Sequence, residues 1–175
     1  MKHHADMEAY WQRRWAEDGV YRTSTDTSKP KYYVLDMFPY PSGTGLHIGH
    51  PEGYVATDIV SRFYRMNGYN VLHPMGFDAF GLPTERQAMK ENIHPAIITE
   101  RNIATFTRQL DAIGFDYDWS HSVNTTTADY VRWTQWMFLK IYDSWYDAEA
   151  KRARPIAELP IPEELTAAAD IEAYR

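Results

Sequence analysis

A glycine- and proline-rich turn between a predicted strand and a predicted helix is the strongest constraint on this chain. Residues 37–50 of the turn read MFPYPSGTGLHIGH. An apolar run at 32–35 precedes them and predicts a buried strand, and residues 49–66 follow with helical periodicity. The N–H groups at a helix N-terminus lack partners within the helix and attract anions. This order is typical of an α/β protein that binds a phosphate group at the turn.

The turn does not follow the common phosphate-binding patterns. Gly43, Gly45 and Gly49 do not match the dinucleotide fingerprint, and no Gly-Lys-Ser or Gly-Lys-Thr is present. The turn carries instead His47 and His50, which are three residues apart and share one face of the first helical turn. Two imidazoles beside free amides suit the negative charge that develops on a phosphate. Taken alone, they also fit a helix-capping pair or part of a metal site.

A second predicted strand follows the helix at once. An Asn-Gly pair closes the helix, because both residue types tolerate the left-handed conformation that ends helices, and residues 69–73 are then the second predicted strand. A strand–helix–strand unit of this length pairs its strands in parallel, so both carboxyl ends lie at one edge of the sheet, where such proteins bind ligands. His47 and His50 follow the first strand, and Asp78 follows the second.

Helical periodicity continues through most of the remaining chain, which predicts an α/β domain of parallel strands covered by helices. The apolar run before the turn belongs to a strand predicted at 31–37. Capping residues, prolines and glycines predict further helices at 6–18, 84–91, 95–113 and 129–146. After residue 147 the composition becomes basic and then proline-rich. This shift predicts a domain over 1–147, followed by 148–175 as a linker (148–161) and the start of a further segment, with a helix beginning at Pro162.

Composition excludes several functional classes. The 175 residues contain no cysteine, so no disulfide or thiolate zinc site is possible here, and the chain suits a reducing cytoplasm. No apolar run approaches the ~20 residues that a membrane helix requires, and no apolar signal region begins the chain, so export is not expected. The net charge of −6 argues against a general nucleic-acid coat.

Three other histidines carry no predicted catalytic role. His73 and His94 are expected to be structural. His121 lies between two serines, but neither serine has the nucleophile elbow of a hydrolase, and residues adjacent in sequence do not form a catalytic triad.

The residues around the turn resemble a known family. His47-Ile48-Gly49-His50 resembles the HIGH signature of class I aminoacyl-tRNA synthetases. The flanking stretches 37–43, MFPYPSG, and 70–83, NVLHPMGFDAFGLP, resemble those of leucyl-tRNA synthetases. Four residues alone arise by chance, whereas three linked motifs in order are a specific signal. The resemblance covers about residues 7–147 and implies the first half of a Rossmann-like nucleotide-binding domain.

The resemblance implies activation of leucine by ATP and transfer of leucine to tRNA(Leu), with Mg²⁺ carried by ATP and no metal held by the protein in this stretch. The matching histidines, His47 and His50, would be catalytic, and Asp78 would hold the leucine ammonium. The implied ATP-binding residues are Pro41, Gly43, Gly45, His47, Gly49 and His50. The implied amino-acid-binding residues are Met37, Phe38, Tyr40 and Asp78.

The chain also departs from the family pattern. Phe77 stands where leucyl enzymes usually have Trp, and Thr84 where they often have Ala. A Lys-Met-Ser-Lys-Ser loop, an editing insertion and an anticodon-binding region are absent from the sequence. We therefore expect an N-terminal fragment with little or no activity by itself. Two alternatives stay open: a stand-alone binding module for a nucleotide, an amino acid or a protein partner, and an isoleucyl-, valyl- or methionyl-tRNA synthetase.

Overall fold

The computed structural model describes residues 4–41, 43 and 45–174. The chain divides into two compact units, Met1–Thr126 and Thr127–Arg175. None of the described helices is both long and apolar enough to cross a membrane. The elements of the first unit are α1 (His4–Glu17), β1 (Lys31–Tyr33), α2 (Gly49–Met66), β2 (Asn70–Leu72), β3 (Gly76–Phe77), α3 (Leu82–Glu91), α4 (Pro95–Ile113), a 3-10 turn (Trp119–His121) and β4 (Val123–Asn124).

Two short parallel strand pairs form the β-structure described in the first unit. β1 pairs with β2 over three residues, and β3 pairs with β4 over two. α2 connects β1 to β2, so the predicted strand–helix–strand unit with parallel strands is confirmed. The strand predicted at 69–73 is β2, which ends at Leu72, and Asp78 follows a further strand, β3, that the sequence did not predict.

The prediction of a buried first strand is wrong in length and in burial. β1 ends at Tyr33, and one further ladder bond runs from the Val34 N–H to the Leu72 carbonyl at 2.9 Å. Tyr33 is 59% exposed and Leu35 is 57% exposed, whereas Val34 and Asp36 are buried. Side chains alternate between the faces of a strand, and only one face of this pair is covered.

The face of α2 that packs on the unit is more polar than its sequence indicates. An apolar stripe normally marks the buried side of a helix, but four of the five members of this one, Val55, Ile59, Phe63 and Met66, are between 45% and 81% exposed, and of the five only Tyr54 is buried. Ser61 is fully buried and bonds to Asp116 at 2.6 Å, and Thr57 bonds to Asp36 at 2.7 Å. Buried carboxylates require donors, so the hydroxyl face of the helix turns inward.

Local capping signals determine the ends of α4 but not the start of α3. α4 has the predicted bounds, with a His94 N-cap that accepts from the Ala96 N–H, and Gly114 as a left-handed C-cap at φ 84°. The helix predicted at 84–91 is α3, which begins two residues earlier at Leu82, so that Thr84 is buried within its first turn. Pro83 occupies a first-turn position, where its missing N–H costs nothing.

The hydrophobic core of the first unit connects α2, α4 and the segment after α4. Its buried members are Tyr54, Met75, Leu110, Phe115 and Tyr117. Phe38 and Leu46, from the two ends of the glycine- and proline-rich turn, pack against it. The core therefore supports both ends of the turn.

The second unit corrects the predicted linker. It contains α5 (Ala128–Tyr142), β5 (Ser144–Asp147), β6 (Arg152–Pro155), a 3-10 turn (Ile156–Glu158) and α6 (Ala168–Tyr174). β5 and β6 form an antiparallel hairpin, so the helix predicted to reach residue 146 ends at Tyr142, and half of the hairpin lies within the predicted linker. No helix begins at Pro162. Helical periodicity continued into β5 because aromatic residues fit a helix and a strand equally well.

Candidate active site

The two histidines of the turn lie side by side at the start of α2. Their ring centroids are 3.9 Å apart, with 33° between the ring planes. The His50 ring is 6.0 Å from Tyr54 and 6.1 Å from Phe106, both of which are buried. His47 is exposed and His50 is half-buried. The turn therefore presents both imidazoles as one group on an accessible surface.

Hydrogen bonds determine which ring nitrogens can donate. Nδ1 of His50 accepts from the His47 N–H at 3.2 Å, and Nδ1 of His47 accepts from the Gly49 N–H at 3.2 Å. A ring nitrogen that accepts carries no proton, so this network assigns the proton of each ring to Nε2. Partial burial, and then the adjacent His47 ring, lower the pKa of His50. The pair is therefore neutral and offers two Nε2–H donors.

The N-terminus of α2 offers fewer free amides than the sequence indicates. The Gly49 N–H bonds to His47 Nδ1, the His50 N–H bonds to the His47 carbonyl at 3.0 Å, and Pro51 has no N–H. The amides that would otherwise face an anion are used within the motif. The imidazoles thus take over much of the donor role that helix termini usually play.

The glycines and the proline of the turn occupy different environments. Pro41 is fully buried, whereas a Cβ on Gly43 would meet only a carbonyl oxygen at 4.0 Å. A Cβ on Gly45 would lie 2.8 Å from Nε2 of Gln109, and a Cβ on Gly49 would lie 3.1 Å from the His47 ring. The sequence predicts that these glycines let a nucleotide approach, and at Gly45 and Gly49 a protein side chain fills the nearby space.

The residues predicted to hold the amino acid are divided between surface and core. Met37 is 85% exposed and Tyr40 is 58% exposed. Phe38 packs against the core, and its ring lies so close to Gly76 that a Cβ there would meet it at 2.7 Å. Phe38 therefore supports β3 directly, and Gly76 is required by that contact and by the Val123 carbonyl oxygen, which a Cβ would meet at 2.5 Å.

Asp78 is anchored to the turn and to a residue that the sequence analysis missed. Its N–H donates to the Pro39 carbonyl at 3.1 Å, and its carboxylate is 3.4 Å from the Thr125 hydroxyl. Thr125 also accepts from the N–H groups of Ala79 and Phe80 at 2.9 and 3.0 Å. Thr125 lies 47 residues after Asp78, so no local pattern could have revealed it.

A buried charged centre, formed by Asp36, His73 and Asp116, lies beneath the site. Nδ1 of His73 is 2.7 Å from an Asp116 oxygen, and Nε2 is 3.2 Å from an Asp36 oxygen. His73 and Asp116 are fully buried, and Asp36 is 7% exposed. The imidazole therefore bridges two carboxylates, which confirms the structural role expected for His73.

The charge state of this centre follows from its partners. Burial disfavours the imidazolium, but the hydrogen bonds to Asp116 and Asp36 outweigh burial and raise the pKa of His73. Burial also acts to raise the pKa of Asp116, and the His73 and Ser61 hydrogen bonds reverse that effect and lower it. The phenol of Tyr117 donates to Asp36 at 3.0 Å. The centre is an imidazolium between carboxylates with their own hydroxyl donors.

The serine and histidine near residue 120 do not form a hydrolase site. Ser120 Oγ donates to Asp118 at 2.5 Å and lies 3.2 Å from Nδ1 of His121, which also contacts Asp118 at 2.9 Å. A catalytic relay requires the serine and the carboxylate on opposite ring nitrogens. Despite burial, hydrogen bonds from Ser120, Thr23 and His121 lower the pKa of Asp118 to about 2. Asp118 therefore holds Ser120, His121 and the distant Thr23 in place.

A cavity of about 580 Å³ lies elsewhere in the first unit, between α1 and the segment after α4. Aromatic residues, among them Trp15, Tyr21 and Trp119, contribute to its walls, and none of the predicted site residues does. Among the described residues, no group of three His, Asp or Glu side chains is arranged so that it could hold a metal ion.

The sequence matches the family model described as "tRNA synthetases class I (M)" over residues 32–153. The chain belongs to the class I tRNA synthetases. A leucine–tRNA ligase from Rhodopirellula baltica is 57% identical over 167 residues, which are 95% of this chain and 18% of that protein. One from Leptospira biflexa is 59% identical over 154 residues, 88% of this chain and 18% of that protein. This synthetase chain thus spans less than a fifth of the length of these relatives.

Solved structures agree with the family. The AgnB2 LeuRS–tRNA–LeuAMS complex from Agrobacterium radiobacter covers 86% of this synthetase chain at TM-score 0.76 and 36% identity, with 21% of that chain covered. Mycobacterium tuberculosis methionyl-tRNA synthetase with methionyl-adenylate covers 77% at TM-score 0.59 and 26% identity, with 28% of that chain covered. The predicted family and its Rossmann-like α/β fold class are therefore confirmed.

Proposed function

We propose that this chain forms the part of a leucyl-tRNA synthetase active site that holds the ATP phosphates and the leucine ammonium. The observation that supports this proposal most is the accessible, neutral His47–His50 pair with its two Nε2–H donors. Donors of this kind stabilise the charge that develops on a phosphate during the reaction. The identity of 57% to a leucine–tRNA ligase supports the choice of leucine.

The reaction has two steps. A carboxylate oxygen of leucine bonds to the α-phosphorus of ATP, the bond to the bridging oxygen breaks, and pyrophosphate leaves with the Mg²⁺ that ATP carries. The terminal ribose hydroxyl of tRNA(Leu) then attacks the leucyl carbonyl, and AMP leaves. Because little covalent chemistry falls to the protein, its contribution is positioning and charge stabilisation.

The proposed contacts follow the turn. His47 and His50 steady the phosphates, and the backbone of Pro41, Gly43, Gly45 and Gly49 borders the nucleotide. The Asp78 carboxylate pairs with the leucine ammonium, next to Met37, Phe38 and Tyr40. The bond between the Asp78 N–H and the Pro39 carbonyl supports this grouping, because it ties the proposed leucine anchor to the turn.

We further propose that this chain acts as part of a complete synthetase in the cytoplasm, with residues 1–147 belonging to the catalytic domain. The length of the relatives supports this, since the chain spans between 16% and 18% of them. Alone, the chain should show little or no leucine-dependent pyrophosphate exchange, because in-line attack requires groups on both sides of the substrates.

Calorimetric titration of the complete synthetase with a non-hydrolysable leucyl-adenylate analogue tests the proposal. Binding should be saturable and leucyl-selective over the isoleucyl analogue, and Asp78→Asn should weaken it at least tenfold, because a fixed charge is lost. Asp129→Asn, at an exposed acidic position of α5, is the matched control and should bind normally. Equal binding of both analogues would indicate a sibling specificity, and binding without pyrophosphate exchange would indicate a non-catalytic module.

A further inference from the structure

Helix α4 is bonded to the glycine- and proline-rich turn at two points. The side-chain amide of Asn102 donates to the Pro41 carbonyl at 2.7 Å, and Oε1 of Gln109 accepts from the Leu46 N–H at 2.8 Å. Asn102 and Gln109 are seven residues apart, so they lie two turns apart on one face of α4. The turn is thus attached to the helix at one point before Gly43 and at another after Gly45.

Gly45 lies directly on the Gln109 amide. A Cβ at residue 45 would be 2.8 Å from Nε2 and 2.9 Å from Oε1 of Gln109. The amide group that bonds to Leu46 therefore also occupies the space that a side chain at residue 45 would need. An alanine there would displace Gln109 and break its bond to Leu46. The missing side chain at Gly45 and the hydrogen bond of Gln109 therefore depend on each other.

α4 is a firm support for this contact. Phe106, three residues before Gln109, is 1% exposed, Leu110, the next residue after it, is 0% exposed, and Asn102 is 4% exposed. Phe106 also contacts the His50 ring, with centroids 6.1 Å apart. Close-packed interiors of this kind deform little. A group that is bonded to this face of α4 is therefore held in place.

We propose that Gln109, together with Asn102, is a positioning residue for the His47–His50 pair. Leu46 immediately precedes His47. The hydrogen bond from the Leu46 N–H to Gln109 therefore determines the position of the backbone that carries the His47 imidazole. Gln109 needs no contact with ATP or leucine for this role. The inference rests on the proposed function, because it assigns to Gln109 the placement of the groups that meet the phosphates.

Leucine-dependent pyrophosphate exchange by the complete synthetase tests the role. Gln109→Met keeps the size of the side chain but removes the acceptor, and a displacement of about 1 Å in a catalytic group can cost roughly 100-fold. We expect kcat/KM for ATP to fall at least tenfold, while KM for leucine stays within about twofold, because Asp78 is held by Pro39 and Thr125. Gln135→Met, at an exposed position of α5, is the matched control.

A double-mutant cycle separates positioning from general loosening of the fold. Gly45→Ala and Gln109→Ala should each accelerate hydrogen exchange at the Leu46 amide, and the double variant should exchange no faster than the faster single variant, because both changes break the same contact. Effects that multiply would overturn the proposal, and so would a Gln109→Met variant with unchanged kcat/KM for ATP.

Amide hydrogen exchange keeps this test separate from the proposed function. In Gln109→Met, exchange at the Leu46 amide should accelerate roughly fivefold or more, since its acceptor is gone, while the thermal unfolding temperature stays near that of Gln135→Met. An unchanged exchange rate at the Leu46 amide of Gln109→Met would refute the inference even if the enzyme is active. A wild-type synthetase without leucine-dependent pyrophosphate exchange would refute the proposed function. Hydrogen exchange at the Leu46 amide would still report on the contact with Gln109.

Discussion

The first unit contains two histidine centres of opposite character. The His47–His50 pair is accessible, and its rings accept backbone hydrogen bonds, which keeps both imidazoles neutral. The buried charged centre places His73 between two carboxylates, which keeps its imidazole charged. The side chain is the same in both centres, and the partners of its ring nitrogens decide whether it is a donor for a ligand or a fixed part of the fold.

The two centres also differ in what their loss should affect. The buried centre joins the end of β1, the end of β2 and the segment after α4, so it contributes to the stability of the unit. The surface pair makes its hydrogen bonds within a single turn of chain, so its removal disturbs little else. We therefore expect stability changes from one centre and activity changes from the other.

The largest effect on stability is expected from His73→Gln, which leaves Asp36 and Asp116 buried without the charge that balances them. Breaking one partner of a buried ion pair costs about 3–5 kcal/mol. Thermal unfolding followed by circular dichroism measures the loss, with His4→Gln, an exposed residue of α1, as the control. A loss no larger than that of the control would show that His73 does not balance the two carboxylates.

The largest effect on activity is expected from His50→Ala. Removing one preorganised donor to a developing charge typically lowers kcat by about 10²–10³-fold. Leucine-dependent pyrophosphate exchange by the complete synthetase measures this loss, and thermal unfolding should change far less than in His73→Gln. Comparable losses of stability in the two variants would remove the distinction between the centres.

A smaller effect is the pH dependence of the stability gap between the wild type and His73→Gln. The pKa of His73 is raised in the folded state, so its contribution is complete below its unfolded value of about 6.5 and is lost as the pH rises through the folded pKa. The pKa of Asp116 is lowered, so its contribution is present above about 3.9 and is lost as the pH falls through the folded pKa.

The gap should therefore be widest between about pH 4 and 6.5 and should narrow as the pH rises through the folded pKa of His73. Unfolding curves recorded across this range for both proteins give the gap directly. A gap that widens as the pH rises above neutrality would contradict the assignment of an imidazolium to His73.

The smallest effect concerns a third histidine, the N-cap of α4. His94 accepts from the Ala96 N–H at 3.2 Å, and loss of an N-cap costs about 1 kcal/mol. His94→Ala should lower the unfolding temperature slightly, and His94→Asn, which keeps a capping acceptor, should restore it. Equal stability of the two variants would show that the cap contributes nothing measurable.

Sequence rules worked best where a helix end depends on one residue. α2 and α4 have their predicted bounds, because an Asn-Gly pair ends one helix, and Pro95 and Gly114 bracket the other. The rules failed where competing periods overlap, as in the aromatic stretch that begins as α5 and continues as β5. They also failed for the buried face of α2, because buried carboxylates outside the helix select its hydroxyl side.

The candidate site shows the same division. The pattern of the turn predicted the two histidines, and their direct contact follows from their spacing. The supporting residues Gln109, Asn102 and Thr125 were missed, because a single glutamine, asparagine or threonine on an ordinary helix or turn carries no local signal. Each contacts a partner between 46 and 63 residues away.

By itself, the sequence determined the strand–turn–helix order, the ends of α2 and α4, and the histidine turn, because these depend on neighbours within one or two helical turns. Only the tertiary structure decided that His73 is charged, that Gln109 holds Leu46, and that Gly45 must lack a side chain. His73 meets Asp36 across 37 residues, and Gln109 meets Leu46 across 63. Such contacts depend on how strands and helices pack, and packing depends on the whole unit at once.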